Sequence, residues 1–224
     1  MKKIILAVLL LTMSVWAMPH HNYRAVPLKK ATLLKDGKDK MYCSVCGMTL
    51  PMFYRTNNAA DHDGKHDQYC SLTCEITDMV INGKKLTNFK VVDNTTLKFI
   101  DASKAYFVVG SKKPGTMSMI SKYAFGTKKA ALAFQKENGG KIMRFQEVVA
   151  MVKQNLQKEI QAAKKRQAKM IKKGGMLYKK ICSPINKHFS STAKAKAYLQ
   201  SSKVCGDIRG KKLQALGLYL SHRK

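Results

Sequence analysis

Between residues 41 and 147 the order of apolar and turn-forming residues runs through one pattern twice, and this doubling limits the possible fold more than any other feature of the chain. The first pass has strand-like stretches at residues 49–55 and 66–70. A helix then opens at Ser71, whose hydroxyl can accept from the free amides of the next turn, and runs to about Ile81. Asn82-Gly83 stops it, and residues 88–92 read as a strand. The second pass has strands at residues 105–110 and 117–124 and a helix from the cap Thr127 to about Glu137, with Ala130, Ala131 and Phe134 on one face. Asn138-Gly139-Gly140 ends that helix before a strand at 141–145. Gln68-Tyr69-Cys70-Ser71 keeps step with Lys122-Tyr123-Ala124-Phe125. Each pass reads strand, strand, helix, strand, and neither is long enough to bury much alone, so the two are expected to pack as a pair.

The flanks differ in character. Lys2 and Lys3, the apolar run 4–11 and the small-residue end Val15-Trp16-Ala17 read as a secretory signal peptide over residues 1–17, too short in its apolar part to span a membrane. The first cysteine, Cys43, lies too far beyond that point to be a lipid attachment site, so a soluble periplasmic protein is expected. Residues 18–40, with His20 and His21, show no sustained periodicity and read as an exposed leader. Residues 148–173 are rich in Ala, Gln and Lys and lack Pro and Gly, which predicts a long basic helix with an apolar stripe at Val149, Val152, Leu156 and Ile160. That stripe suits either docking or a solvated spacer. Gly174-Gly175 is expected to break the helix and start a small helical tail over 174–224. The fold class predicted is therefore α+β: two related modules, then a basic helix and a small all-α tail.

Charge bears on partners. Lys and Arg number 42 against 13 Asp and Glu, a formal +29, which favours anionic partners. Export removes nucleic acid from consideration and leaves an anionic membrane surface or an acidic protein, beside the plainer reading of a solvated cationic surface.

The chemistry concentrates in cysteine. Cys43-Ser44-Val45-Cys46-Gly47-Met48 is followed, after a loop, by Cys70-Ser71-Leu72-Thr73-Cys74. A C-x-x-C pair on a tight turn brings two sulfurs to one point, and a second pair at a helix start gains from the helix dipole, which favours thiolate. Spacing alone leaves three readings open: a structural Zn(II) site, a Cu(I) site, or disulfides in an oxidising compartment. Thioethers weigh toward copper. Met48 follows Cys46 by two residues, and Met117 and Met119 are expected on one face of a strand; thiolate with thioether is a soft set that Cu(I) prefers and Zn(II) does not require. With 13 methionines in the chain, any single one is as readily core filling. His62 and His66 precede Cys70 in a loop and read as transfer ligands or as plain exposed residues.

These residues carry a resemblance. The segment 43–148 resembles the NosL family of nitrous oxide reductase accessory proteins, on Cys46-Gly47-Met48, on Ala105-Tyr106-Phe107-Val108-Val109-Gly110-Ser111 with Met117, and on Ala124-Phe125 through Ala130-Ala131 to Gly139-Gly140 and Phe145. The resemblance implies paired strand-strand-helix-strand modules, Cu(I) binding outside the cytoplasm through Cys46, Met48 and Met117 with Met119 as a neighbouring candidate, and delivery toward nitrous oxide reductase or its maturation machinery. Cys43, Cys70 and Cys74 go beyond the C-G-M core. The tail, outside this resemblance, is similar to c-type cytochromes around residues 175–182 and 213–220, yet the haem attachment positions hold Cys182-Ser183-Pro184-Ile185-Asn186. No haem is expected, and Cys182 with Cys205 reads as a disulfide stapling a tail that could barely sustain a core.

Three functions compete on this reading: a Cu(I) metallochaperone, a four-cysteine Zn(II) interaction module, and a thiol-disulfide oxidoreductase using Cys43 and Cys46. The last lacks a thioredoxin-like surround, and the sequence offers no paired catalytic carboxylates or Ser-His-Asp set, so a non-enzyme is expected.

Overall fold

A computed structural model describes residues 22–223. The expected signal segment and the His20-His21 pair lie outside them. The first module comprises β1 (Asn58–His62), β2 (Lys65–Tyr69), α1 (Leu72–Val80) and β3 (Thr87–Val92), to which a short β4 (Phe99–Asp101) is added. The second comprises β5 (Tyr106–Val109), β6 (Lys122–Phe125), α2 (Lys128–Asn138) and β7 (Lys141–Arg144). Strand order is β2-β1-β3-β4 in one sheet and β6-β5-β7 in the other, with every neighbour antiparallel. In both modules the first strand is central and the helix joins the second strand to the third, so the doubled pattern is a doubled topology. The class is α+β.

Both helix starts are as the sequence requires. The Ser71 hydroxyl accepts from the Cys74 amide and the Thr127 hydroxyl from the Ala130 amide. Aligned on these caps, Tyr69 at the end of β2 corresponds to Phe125 at the end of β6, two residues from the pairing with Tyr123 that sequence rhythm gives. The sheets meet where Asp93 bridges to Ala124 and Asn94 donates to the Ala124 carbonyl from both backbone and side chain.

Several elements depart from expectation. Residues 50–56 form a 3-10 helix in place of a strand, because Pro51 near its start has φ preset for a helical turn and no amide to give to a ladder. The strand expected over 117–124 is confined to β6. Before it the chain bends, with Met117 left-handed at φ 61° and the Ser118 hydroxyl accepting from the Ile120 amide, a local bond that competes with strand pairing. Met117 and Met119 therefore do not share a strand face. The sequence reading misses β1, an Asn-Ala-Ala-Asp-His run with little strand propensity that is central because β2 and β3 flank it. Residues 22–40, expected as an exposed leader, lie along the modules instead. Tyr23 packs edge-on to Tyr123, Val26 is buried beside Tyr54 and Val92, and the Leu34 amide bonds to Gln68.

The basic helix α3 (Phe145–Ile181) docks by the predicted stripe. Val148, Val152 and Leu156 are buried in one cluster with Leu72, Ile76, Val91, Phe107 and Ala124 from both modules. It does not break at Gly174-Gly175. Helix α5 (Gly210–His222) crosses there so closely that a Cβ on Gly174 would lie 2.1 Å from the Ala215 carbonyl oxygen and 2.8 Å from Tyr219 Cβ. The glycines mark a close helix–helix contact rather than a helix stop. With α4 (Thr192–Ser202), α5 and the end of α3 enclose a small core of Ile185, Phe189, Leu199, Leu213, Leu216 and Leu220, stapled by a Cys182–Cys205 disulfide. No helix of the described residues is long and apolar enough to cross a membrane.

Gly174→Ala gains about 1 kcal/mol of helix propensity, but overpacking against Ala215 is expected to cost about 1–3 kcal/mol. A net loss of stability in urea unfolding checks this contact; a gain would show that α3 and α5 do not approach so closely.

Candidate metal centre

The two cysteine pairs arrive from different structural sources. Cys43 to Met48 forms a tight knuckle in which the Gly47 amide donates to the Cys43 carbonyl at 3.0 Å and the Cys43 amide to the Met48 carbonyl at 2.9 Å, closed by a Tyr42–Thr49 bridge. The Ser44 amide donates to the Gln68 carbonyl, which lays the knuckle against the end of β2. Cys70 follows β2 directly, and Cys74 lies in the first turn of α1, where unpaired amides and the helix dipole favour negative charge.

The four thiols converge. All four Sγ atoms lie within 4.8 Å of one another, with Cys46–Cys70 at 3.5 Å and Cys70–Cys74 at 3.7 Å, and all four cysteines are buried. None is disulfide-bonded. A tetrahedral centre with metal–sulfur bonds of about 2.3 Å needs sulfur–sulfur edges of about 3.8 Å. The cluster has that size.

Its protonation is collective. Burial alone would raise the Cys43 thiol, yet hydrogen bonds from Cys46, Cys70 and Cys74 hold it well below its ordinary value. Cys70 is pushed well up by burial and by its bonded neighbours Cys43 and Cys46, and Cys74 is pushed well up first by its hydrogen bond with Cys43. One thiolate is easily formed and shared, whereas a second is opposed by the first. A bound cation would reverse that opposition. Glu75, beside Cys74, is buried with neither carboxylate oxygen partnered; burial drives its pKa well up, so it stays neutral and adds no charge to the cluster.

The tail closes over the knuckle. Lys196 of α4, 1% exposed, donates to the Gly47 carbonyl at 2.6 Å, to Thr49 Oγ1 at 3.2 Å and to Gln214 Oε1 at 2.8 Å, and its Nζ stands 4.2 Å from the centre of the Tyr42 ring. Gln214 of α5 in turn donates to the Cys46 carbonyl at 3.0 Å. Burial pulls Lys196 down to about 7, against the opposing attraction of Cys46, Cys43 and Cys70. A negative metal–thiolate centre would favour its charged form.

One edge of the cluster is open. Cys46 lines a pocket of about 360 Å³ together with Met48, Met52, Met117 and Met170. Met48 and Met117 also pack on the apolar cluster that contains the four cysteines. The other sequence candidates lie elsewhere. Met119 is 91% exposed and does not line the pocket. His62 and His66 flank the turn between β1 and β2, where His62 Nδ1 pairs with the Lys85 carbonyl and His66 Nδ1 with Asp61; neither joins the thiols or the pocket. Met52, Met170, Lys196 and Gln214 escaped the sequence reading. Met52, four residues past Met48, was within reach of it; Met170 lies on α3 beyond its predicted stripe, and Lys196 and Gln214 come from tail helices whose approach no local pattern announces.

Gly47 sits where only glycine fits. Its φ is +69°, and a Cβ would lie 2.6 Å from Thr192 Cγ2 and 3.2 Å from the Ala193 amide nitrogen. Gly47→Ala is expected to cost about 2–4 kcal/mol through backbone strain and displacement of α4. A lowered Tm with faster proteolysis of the tail checks this; an unchanged Tm would show that tail and knuckle are not in contact.

Comparison with family models matches residues 35–152 to NosL. No curated protein matches. Among solved structures, the crystal structure of the copper chaperone NosL from Shewanella denitrificans is 27% identical, covering 54% of this chain and 96% of that one, with a TM-score of 0.40. The matched residues make up more than half of the 224, and the chain belongs to the NosL family.

Proposed function

We propose that this protein is a periplasmic Cu(I) chaperone that serves the maturation of nitrous oxide reductase. The observation that carries the reading is that Cys46, Met48 and Met117, from two sequence-distant stretches, line one pocket. Thiolate with two thioethers is a soft set of low coordination number, matched to Cu(I) and poor for hard cations. The remainder of the residues 41–147 act as the frame for this site. Cys43, Cys70 and Cys74 surround Cys46 on its buried side, with Cys70 Sγ at 3.5 Å, and leave its other side facing the pocket. The ion is cargo, and the protein carries it without catalysing a reaction. Ligand exchange demands that an acceptor sulfur reach the ion, and the open pocket provides the approach that a fully enclosed centre would deny. Nitrous oxide reductase as acceptor is the part of this reading that the resemblance to the NosL family suggests. The cationic surface fits docking to an acidic protein or an anionic membrane.

A second reading has its own support. The sulfur spacing of the four-cysteine cluster suits a closed Zn(II) centre, which would make the module structural.

Metal analysis of protein purified without oxygen separates the two. One tightly held Cu(I) is expected per chain, lost in Cys46→Ala and weakened about tenfold or more in Met48→Ala. Stoichiometric zinc that resists replacement by Cu(I), with no copper bound beside it, would sink the chaperone reading.

A further inference from the structure

The pocket beside the C-G-M turn holds more sulfur than one low-coordinate Cu(I) ion uses. Beyond Cys46, Met48 and Met117 it is lined by Met52, from the 3-10 segment, and by Met170, from the part of α3 that lies past the family-matched residues 35–152. Met52 is 48% exposed, so the sulfur-bearing wall reaches from the buried thiols to the surface. Its volume of about 360 Å³ is far more than the ~10–15 Å³ that one water-sized particle needs.

The pocket's two sides are physically linked. Arg166 of α3, one turn before Met170, donates to the Met117 carbonyl at 3.3 Å, and Met117 is held in the left-handed region at φ 61°. The bond fixes the Met117 backbone to α3 at the turn before Met170. The polar lining points the same way. It comprises Thr49, Arg166, Gln167, Lys211 and Gln214, without a carboxylate, so a hard divalent ion finds no anionic oxygen there. The two cations repel a divalent ion more strongly than a monovalent one.

We propose that Met52 and Met170, with Met117, form an outer thioether position for Cu(I), at which the ion enters before passing to Cys46. This rests on the copper reading of the inner site. In the inward step a copper–thioether bond to Met52 or Met170 breaks as the bond to Cys46 Sγ forms, while Met117 stays attached. Copper remains Cu(I) throughout, and a proton still on Cys46 passes to water. Neutral thioethers hold the ion less firmly than a thiolate, so the gradient of affinity runs inward. The extension beyond the family-matched residues thereby supplies a ligand and not only a lid.

Protein labelled with ¹³C at the methionine methyls, titrated anaerobically with Cu(I), tests this directly, with signals assigned by Met52→Leu and Met170→Leu. The Met48 and Met117 signals are expected to shift with the first ion bound, and those of Met52 and Met170 as more is added. Signals of Met52 and Met170 that stay put while Met48 and Met117 move would overturn the outer position alone. If none of the four moves, the copper reading fails as well. The Met52→Leu/Met170→Leu double variant, which keeps side-chain volume, is expected to slow Cu(I) uptake from its bicinchoninate complex about tenfold and to change the affinity for the first ion less than about threefold. An unchanged uptake rate would remove the entry role.

Discussion

The convergence of four buried thiols is the constraint around which the other parts of the molecule are arranged. Thiols at van der Waals distance in an apolar surround can share one negative charge but cannot each carry one, so the cluster is stable as a hydrogen-bonded set and becomes a tetrathiolate only against a cation. Holding it requires the knuckle at 43–48, the end of β2 and the first turn of α1 to keep mutual register. The Ser44–Gln68 backbone bond and the Ser71 cap do this locally. Tyr69, whose hydroxyl donates to Asp78, and Lys84, which pairs with both Asp67 and Asp78, tie β2 to the far end of α1.

The tail extends that arrangement. Helices α4 and α5 have too small a core to be self-sufficient, and they gain stability from a disulfide closing 23 residues and from glycine seams that admit close contact. Gly174 admits α5, Gly47 admits the start of α4, and at Gly217 a Cβ would lie 2.4 Å from the Lys196 stem, so the absence of a side chain there makes room for the buried lysine. Each seam places a side chain of the tail on the C-G-M turn. Lys196 and Gln214 thus act on the backbone that presents Cys46, and were the cluster to turn anionic around a metal ion, a charged Lys196 beside it would offset part of the cost of burying that charge.

Cys46 joins two environments with different demands. Toward the cluster it is one of four thiols in a dry, closed geometry suited to permanence; toward the pocket it is the single cysteine among thioethers, in a site open to exchange. One sulfur thus faces a closed thiol cluster on one side and an accessible thioether-lined pocket on the other.

The amino-acid order by itself determined the paired modules, both helix caps, the apolar stripe of α3 and the candidate cysteines with Met48, because each is written in local periodicity, turn chemistry or spacing; it offered the tail disulfide as one reading, and Met117 through the family resemblance. It misplaced what depends on partners. The strand β1 has weak propensity and exists because β2 and β3 flank it; the Pro51 segment coils because no ladder can use it; Gly174-Gly175 signals a break in sequence but a contact in space. Met119 and the two histidines have suitable chemistry and stand apart from the sulfur, whereas Met170 and Lys196, with no local signal at all, stand beside it. Only tertiary structure decided these, since a helix carries nothing in its own sequence to say which distant turn it will cover.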